Sequence, residues 1–152
     1  MAMHLMRSAL AAAAIAAPTA AEEPPEIEWC GTDFLVTASV GSDVRVVIRE
    51  QDDGTTTLHG VWPDVGLYGV FDGDLVHDYA CAVGRSCAQF RGILHNLEAG
   101  GFPPGTEAPM LVSLDMATDG SGARGVYKID LFPGGYPIEQ YGILELGACV
   151  LA

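Results

Sequence analysis

Positive charge is scarce in this 152-residue chain: 7 Lys and Arg stand against 20 Asp and Glu, a formal net charge of −13. A nucleic-acid binder neutralises phosphates with clustered Lys and Arg, and docking on anionic lipid needs the same residues. Neither role is expected here. Charged residues of both signs amount to only 18%, whereas apolar residues reach 49%. The chain is therefore too apolar for disorder and has the size of one globular domain. No apolar run reaches the roughly 20 residues that span a bilayer, so the mature chain is not expected to insert into a membrane. Internal repeats are absent. His59, His77 and His95 show no i, i+2 or i, i+4 pair, so they form no local metal motif. The cysteine spacing matches no zinc pattern either, and neither a metal nor a cofactor is expected.

What is present begins with an export signal. Arg7 and the amino terminus make a short positive region, Ala9 to Ala17 is apolar, Pro18 ends it, and Thr19 to Ala21 are small residues suited to signal peptidase. We read residues 1–21 as a secretory signal and 22–152 as a single mature domain, periplasmic or extracellular. That domain keeps all 20 acids and 6 bases, a net charge of −14. Its four cysteines, Cys30, Cys81, Cys87 and Cys149, form an even set in an exported chain, which points to two disulfides. Of the three connectivities, Cys81–Cys87 with Cys30–Cys149 is preferred. The first closes a short loop through Gly84, and the second joins the two ends of the domain.

Period-2 alternation dominates the mature domain. The acidic arm Glu22–Glu28 leads to Phe34, Val36, Ala38 and Val40 on one face. Gly41-Ser42-Asp43 reads as a hairpin turn. Val44, Val46 and Ile48 then point inward while Arg45 and Arg49 point out. Asp53-Gly54 favours the positive φ of a type I′ turn and should join Val44–Glu50 to Thr55–Val61. Further strands are expected over Leu67–Phe71, Leu75–Ala80, Met110–Met116, Gly125–Phe132 and Tyr141–Val150. Asp72-Gly73, Asp119-Gly120-Ser121-Gly122 and Pro133-Gly134-Gly135 punctuate them, and Gly101–Pro109 reads as a loop. Seven or eight short strands with glycine-rich turns describe an all-β, mostly antiparallel sandwich or small barrel. One segment differs. Phe90, Ile93, Leu94 and Leu97 fall at helical spacing, Ser86 and Gln89 match a capping box, and Gly100-Gly101 supplies a stop. A short helix near 87–99 is expected, with a strand as the alternative and Gly92 as the residue that weakens the helix.

The motifs carry little catalytic signal, and we assign no catalytic residue. Gly120-Ser121-Gly122-Ala123-Arg124-Gly125 matches G-x-G-x-x-G, but a strand and not a helix follows it, so it reads as a hairpin loop. Gly84-Arg85-Ser86-Cys87-Ala88 departs from the nucleophile elbow at its last residue and lacks the parallel sheet that motif needs. Asp72, Asp74 and Asp78 cluster without the spacing of a calcium loop. Trp29, Trp62, Phe102, Tyr136 and Tyr141 would complete a core or, if exposed, mark a binding face.

Ser121-Gly122-Ala123-Arg124-Gly125-Val126-Tyr127-Lys128 resembles the S-G-x-x-Y segment of the small periplasmic lysozyme inhibitors, although Tyr127 stands five residues after Gly122 where that segment has three. The resemblance implies an acidic, exported, disulfide-containing barrel whose loop enters the cleft of a cationic glycosidase. On that reading the binding loop comprises Asp119, Gly120, Ser121, Gly122 and Arg124, with Tyr127 beyond it. The charge alone points in the same direction, because a surface at −14 steers cationic proteins or peptides toward it. The expected function is thus binding rather than catalysis. The alternatives are a small secreted hydrolase using His59, His77 and Asp78, and a structural subunit of an envelope complex.

Overall fold

The computed structural model describes residues 26–36, 40–62, 68–98, 105–131 and 138–149. Residues 1–21, read from the sequence as an export signal, and the expected Pro133-Gly134-Gly135 break lie outside them. Eight strands follow in chain order: β1 (Glu26–Leu35), β2 (Val40–Glu50), β3 (Thr56–Trp62), β4 (Tyr68–Ala82), β5 (Arg85–Glu98), β6 (Thr106–Ala117), β7 (Gly122–Leu131) and β8 (Ile138–Ala148). Each pairs antiparallel with the next, and β8 pairs back onto β1, closing an up-and-down barrel. Closure pairs every strand with a neighbour on each side over at least part of its length.

Alternation builds the interior. Val44, Val46 and Ile48 of β2, Ala108, Met110, Val112 and Leu114 of β6, and Leu144 and Leu146 of β8 are all buried. Trp29, Trp62, Phe71, Phe90 and Tyr127 fill the space between them, each almost fully buried. Burying one such side chain is worth about 1.5–3 kcal/mol. Glycine at inward positions makes room for these rings. A Cβ on Gly142 would lie 1.9 Å from the Tyr127 ring, and one on Gly92 would lie 1.9 Å from the Asp72 carbonyl oxygen.

Two ends can be distinguished. At the turn end lie the connections 51–55, 83–84 and 118–121. There Gly54, Gly84 and Gly120 adopt φ of 86°, 74° and 78°. Both disulfides also lie there: Cys30–Cys149 across the β1–β8 seam and Cys81–Cys87 within the β4–β5 hairpin. This is the pairing preferred from the sequence. At the opposite end, the loop end, the described residues stop at Val36, Trp62, Glu98 and Leu131 and resume at Val40, Tyr68, Gly105 and Ile138.

Several expectations are corrected. Residues 87–99 contain no helix: β5 runs to Glu98, and Ala88, Phe90 and Leu94 point inward at even spacing with Gly92 between them. Gly92 marks close backbone approach in a sheet, which explains both its presence and its conflict with a helix. Gly41-Ser42-Asp43 lies inside β2, paired with Phe34, Asp33 and Thr32, so the connection falls earlier, between Val36 and Val40. Phe34 belongs to the outer face. Asp72-Gly73 also sits within a strand, opposite Ile93 and Gly92, and not in a turn. Thr106–Pro109 is already part of β6. Asp53-Gly54 is in a turn of a different kind from the one expected. Gly54 N donates to Gln51 O and Gln51 N to Thr55 O, the pattern of a three-residue loop ending in a left-handed glycine.

Candidate functional site

The turns 51–55 and 118–121 share one design. Asp53 Oδ1 accepts from Thr55 N at 2.9 Å, and Asp119 Oδ1 accepts from Ser121 N at 2.9 Å. Each aspartate thus rigidifies its turn from within. Hydrogen bonds from Ser121 hold the Asp119 carboxyl below the usual carboxylate range, with a smaller contribution from Arg85. Thr118 N also donates to Gly84 O at 3.0 Å, which ties this turn to the tip of the β4–β5 hairpin.

The structure divides the sequence-derived loop residues among three environments. Asp119, Gly120 and Ser121 are exposed in the turn. Gly122 is already in β7, paired with Gly147, and Arg124 points outward beside Glu145 at 3.8 Å. Tyr127 is inside the barrel, 1% exposed. It therefore cannot reach a partner as the tyrosine of an inhibitor-like segment would.

A shallow outer groove lies beside that turn. Tyr79, Val126 and Ile143 form its apolar floor, and the Cys81–Cys87 disulfide borders it. Val126 and Ile143 are direct cross-strand partners, and Phe34 stands opposite Ile143 on β1, so one exposed apolar row crosses three strands. The rim is ionic. Arg85 Nε donates to Asp115 Oδ1 at 2.7 Å, and Arg124 faces Glu145. With Asp119 close to Arg85, three carboxylates and two guanidiniums surround the floor. Among the described residues, Cys81, Cys87 and Asp115 form a group with metal-ligand spacing. Both sulfurs are consumed in the disulfide, so they offer no thiolates there.

The hydrolase constellation does not assemble. His59 Nδ1 meets Asp72 Oδ1 at 2.6 Å, whereas His77 stacks on Tyr79 with ring centroids 5.3 Å apart. His59 is registered with Asp72 and His77 with Gln89, five residues farther along β4. At about 3.4 Å per residue that separates the two imidazoles by well over a hydrogen-bond length.

One polar group escaped the sequence reading. Asp33 points into the barrel near the loop end and is 1% exposed. Tyr127 Oη donates to Asp33 Oδ2 at 2.9 Å. Trp62 and Ser42 face the same carboxyl, but the indole N–H stops short of a full hydrogen bond, leaving Asp33 Oδ1 and Trp62 Nε1 without one. Burial raises the Asp33 pKa to about 6, and the three neighbours only partly offset it. Burial and the Asp33 charge push the Tyr127 hydroxyl far above its ordinary value. The one available signal was parity: Asp33 continues the inward series Trp29, Gly31.

No protein-family model, curated protein or solved structure matches this chain.

Proposed function

We propose that this protein is an exported binding domain that captures a cationic protein or peptide on the outer face at the turn end of β4–β8. The observation that carries this reading is the exposed apolar floor of Tyr79, Val126 and Ile143 beside Asp115, Asp119 and Glu145. An apolar centre with a charged rim is the usual anatomy of a protein-binding patch. Net charge supplies long-range attraction, and the floor supplies desolvation once contact is made. The two disulfides fit an oxidising compartment. An apolar interior, with Arg45, Asp72, Arg91, Glu107, Lys128 and Glu145 exposed or half-exposed on the outside, is the reverse of a lipid-spanning barrel. That supports a water-facing role. The aspartate- and glycine-anchored turn 118–121, tied to Gly84 of the β4–β5 turn, gives the face a rigid frame, which lowers the ordering cost of binding.

The test titrates the protein with a lysozyme-type muramidase as a cationic globular probe, at low salt and at about 0.15 M salt, where the Debye length is about 8 Å. Binding should weaken as salt rises. The double variant Asp115→Asn/Glu145→Gln should associate several-fold more slowly, because it removes two rim carboxylates and frees two guanidiniums. Val126→Ser should mainly speed dissociation. Equal affinity of the wild type and the double variant, or no binding to several cationic proteins at micromolar concentration, would retire the proposal.

A further inference from the structure

β4 is longer than its neighbour on one side. The β3–β4 ladder ends at Thr57 opposite Asp74, yet β4 continues to Ala82, paired there only with β5. Among the described residues, no strand lies along the other edge of β4 from Leu75 to Ala82. Closure is incomplete along this stretch. An unpaired edge offers backbone donors and acceptors at strand spacing, the means by which extended peptides are taken up as added strands.

The side chains there are not those of an idle edge. Val76 is 49% exposed, Tyr79 53%, and Val83 at the tip is fully exposed. Asp74 and Asp78 stand on the strand itself. Glu50, Asp52 and Asp53 stand at and beside the β2–β3 turn, which ends where the free edge begins. Arg91 faces Asp74 across the ladder, and His77 lies against Tyr79. Five carboxylates and one guanidinium thus stand on or next to this stretch in the chain or the ladder, with three exposed apolar side chains among them. Tyr79 also lines the outer groove, so edge and groove form a continuous surface.

We propose that the free edge of β4 over Leu75–Ala82 takes up an extended, cationic segment of the binding partner as an added strand. The inference rests on the binding function proposed above and specifies how the partner is held. Charge decides among occupants. A second copy of the chain would bring two identical sets of Asp74 and Asp78 together, and like charges across a strand pair are destabilising. The chain's own arm Glu22-Glu23-Pro24-Pro25 carries acids and two prolines without N–H donors. Asp74, His77 and Tyr79 share the outer face with their partners Arg91, Gln89 and Cys87, and Asp78 lies on the opposite face with Ala88. A segment carrying several Lys or Arg among apolar residues therefore meets a carboxylate on either face and Tyr79 on the outer one. The β4–β5 register shifts at Leu75/His77 and Tyr79/Ala82 bend this edge and discourage pairing with an arbitrary strand. They leave charge and apolar fit as the selective terms.

The experiment uses the full protein and two capped heptapeptides, one alternating Lys and Val and the other alternating Glu and Val. Amide hydrogen exchange is followed residue by residue. The Lys–Val peptide should slow exchange at amides within residues 76–82 by about tenfold or more at saturation, and the Glu–Val peptide should not. The charge-reversed variant Asp74→Lys/Asp78→Lys should invert that preference, and its own circular dichroism and exchange in β6–β8 report whether it folds. Val76→Pro, at a residue outside the β4–β5 pairing, should weaken Lys–Val binding while leaving circular dichroism and exchange in β6–β8 unchanged. Protection elsewhere, or equal protection by both peptides, overturns strand addition. Persistence of salt-sensitive muramidase binding in that case shows that only the strand proposal has failed, whereas its loss would remove the broader binding function as well.

Discussion

The turn end and the loop end of this barrel are held by different means. At the turn end, Asp53 and Asp119 each accept hydrogen bonds two residues ahead, a left-handed glycine follows each, and both disulfides cross nearby. Nearly every one of those contacts is local in sequence, Cys30–Cys149 excepted. At the loop end the decisive contact, Tyr127 to Asp33, joins residues 94 apart. It is buried, polar and incompletely satisfied. Apart from the Cys30–Cys149 bridge, the turn end therefore loses little when one contact is cut, whereas among the described residues the loop end carries the packed cluster of Asp33, Tyr127 and Trp62. Low-dielectric surroundings strengthen the Tyr127–Asp33 bond and also raise the cost of each polar atom left without a partner.

The largest expected effect breaks the turn end at its exception. Cys30→Ala/Cys149→Ala opens a bridge between residues 119 apart and should lower stability by about 5 kcal/mol, against about 2 kcal/mol for Cys81→Ala/Cys87→Ala. Urea midpoints of the two variants give the comparison, and a larger loss from the short bridge would reverse the account of the seam.

Next in size is Gly142→Val. Its Cβ would collide with the Tyr127 ring, with contacts of 1.9–2.2 Å, so overpacking should cost about 3 kcal/mol and disturb Asp33. Gly54→Val sharpens the contrast from the turn end. No atom lies within 4 Å of a Cβ there, and only the positive φ resists it, so the cost should be about 1–2 kcal/mol. Thermal unfolding of both proteins tests the ordering, and equal losses would mean that backbone strain outweighs the collision.

The smallest effect is a pH dependence confined to the loop end. The pKa of Asp33 is near 6 in the folded protein against an ordinary 3.8. The folded state thus holds a proton that the unfolded chain has released by about pH 6. This contribution is fully present below about pH 4 and is lost as pH rises through 6. Asp33→Asn should therefore gain stability relative to wild type between pH 4.5 and pH 7.5, by on the order of 1 kcal/mol after allowance for solvent screening. A wild-type-minus-variant difference that stays flat over that range would show that Asp33 titrates normally.

Much of the architecture was legible in the residues themselves. Val44, Val46 and Ile48 alternate with outward charges, and period 2 admits only one buried face. Asp53-Gly54 and Asp119-Gly120 announced turns because glycine accepts positive φ at little cost. The preferred cysteine pairing is the one found, with Cys30–Cys149 bridging β1 and the end of β8. Phe90, Leu94 and Gly92 were misread because a short apolar run fits both periods until its neighbours are known. Asp72-Gly73 was misread for a related reason: in a closed barrel glycine also lets rings approach, and a Cβ on Gly73 would lie 2.3 Å from the Phe71 ring.

At the candidate site the balance shifts. Asp119, Ser121 and Arg124 drew attention through their motif, but Tyr79, Val126 and Ile143 became a floor only when β4, β7 and β8 were brought around the barrel. Tyr127 went inward and Asp33 acquired its partner by the same closure. The sequence by itself determined strand periodicity, the tight turns, the cysteine set and the net charge, since each depends on a residue and its near neighbours. Only the tertiary structure decided which acids are buried, which apolar side chains remain outside, and that β4 outruns β3. Those outcomes depend on register and closure, to which residues far apart in the chain contribute jointly.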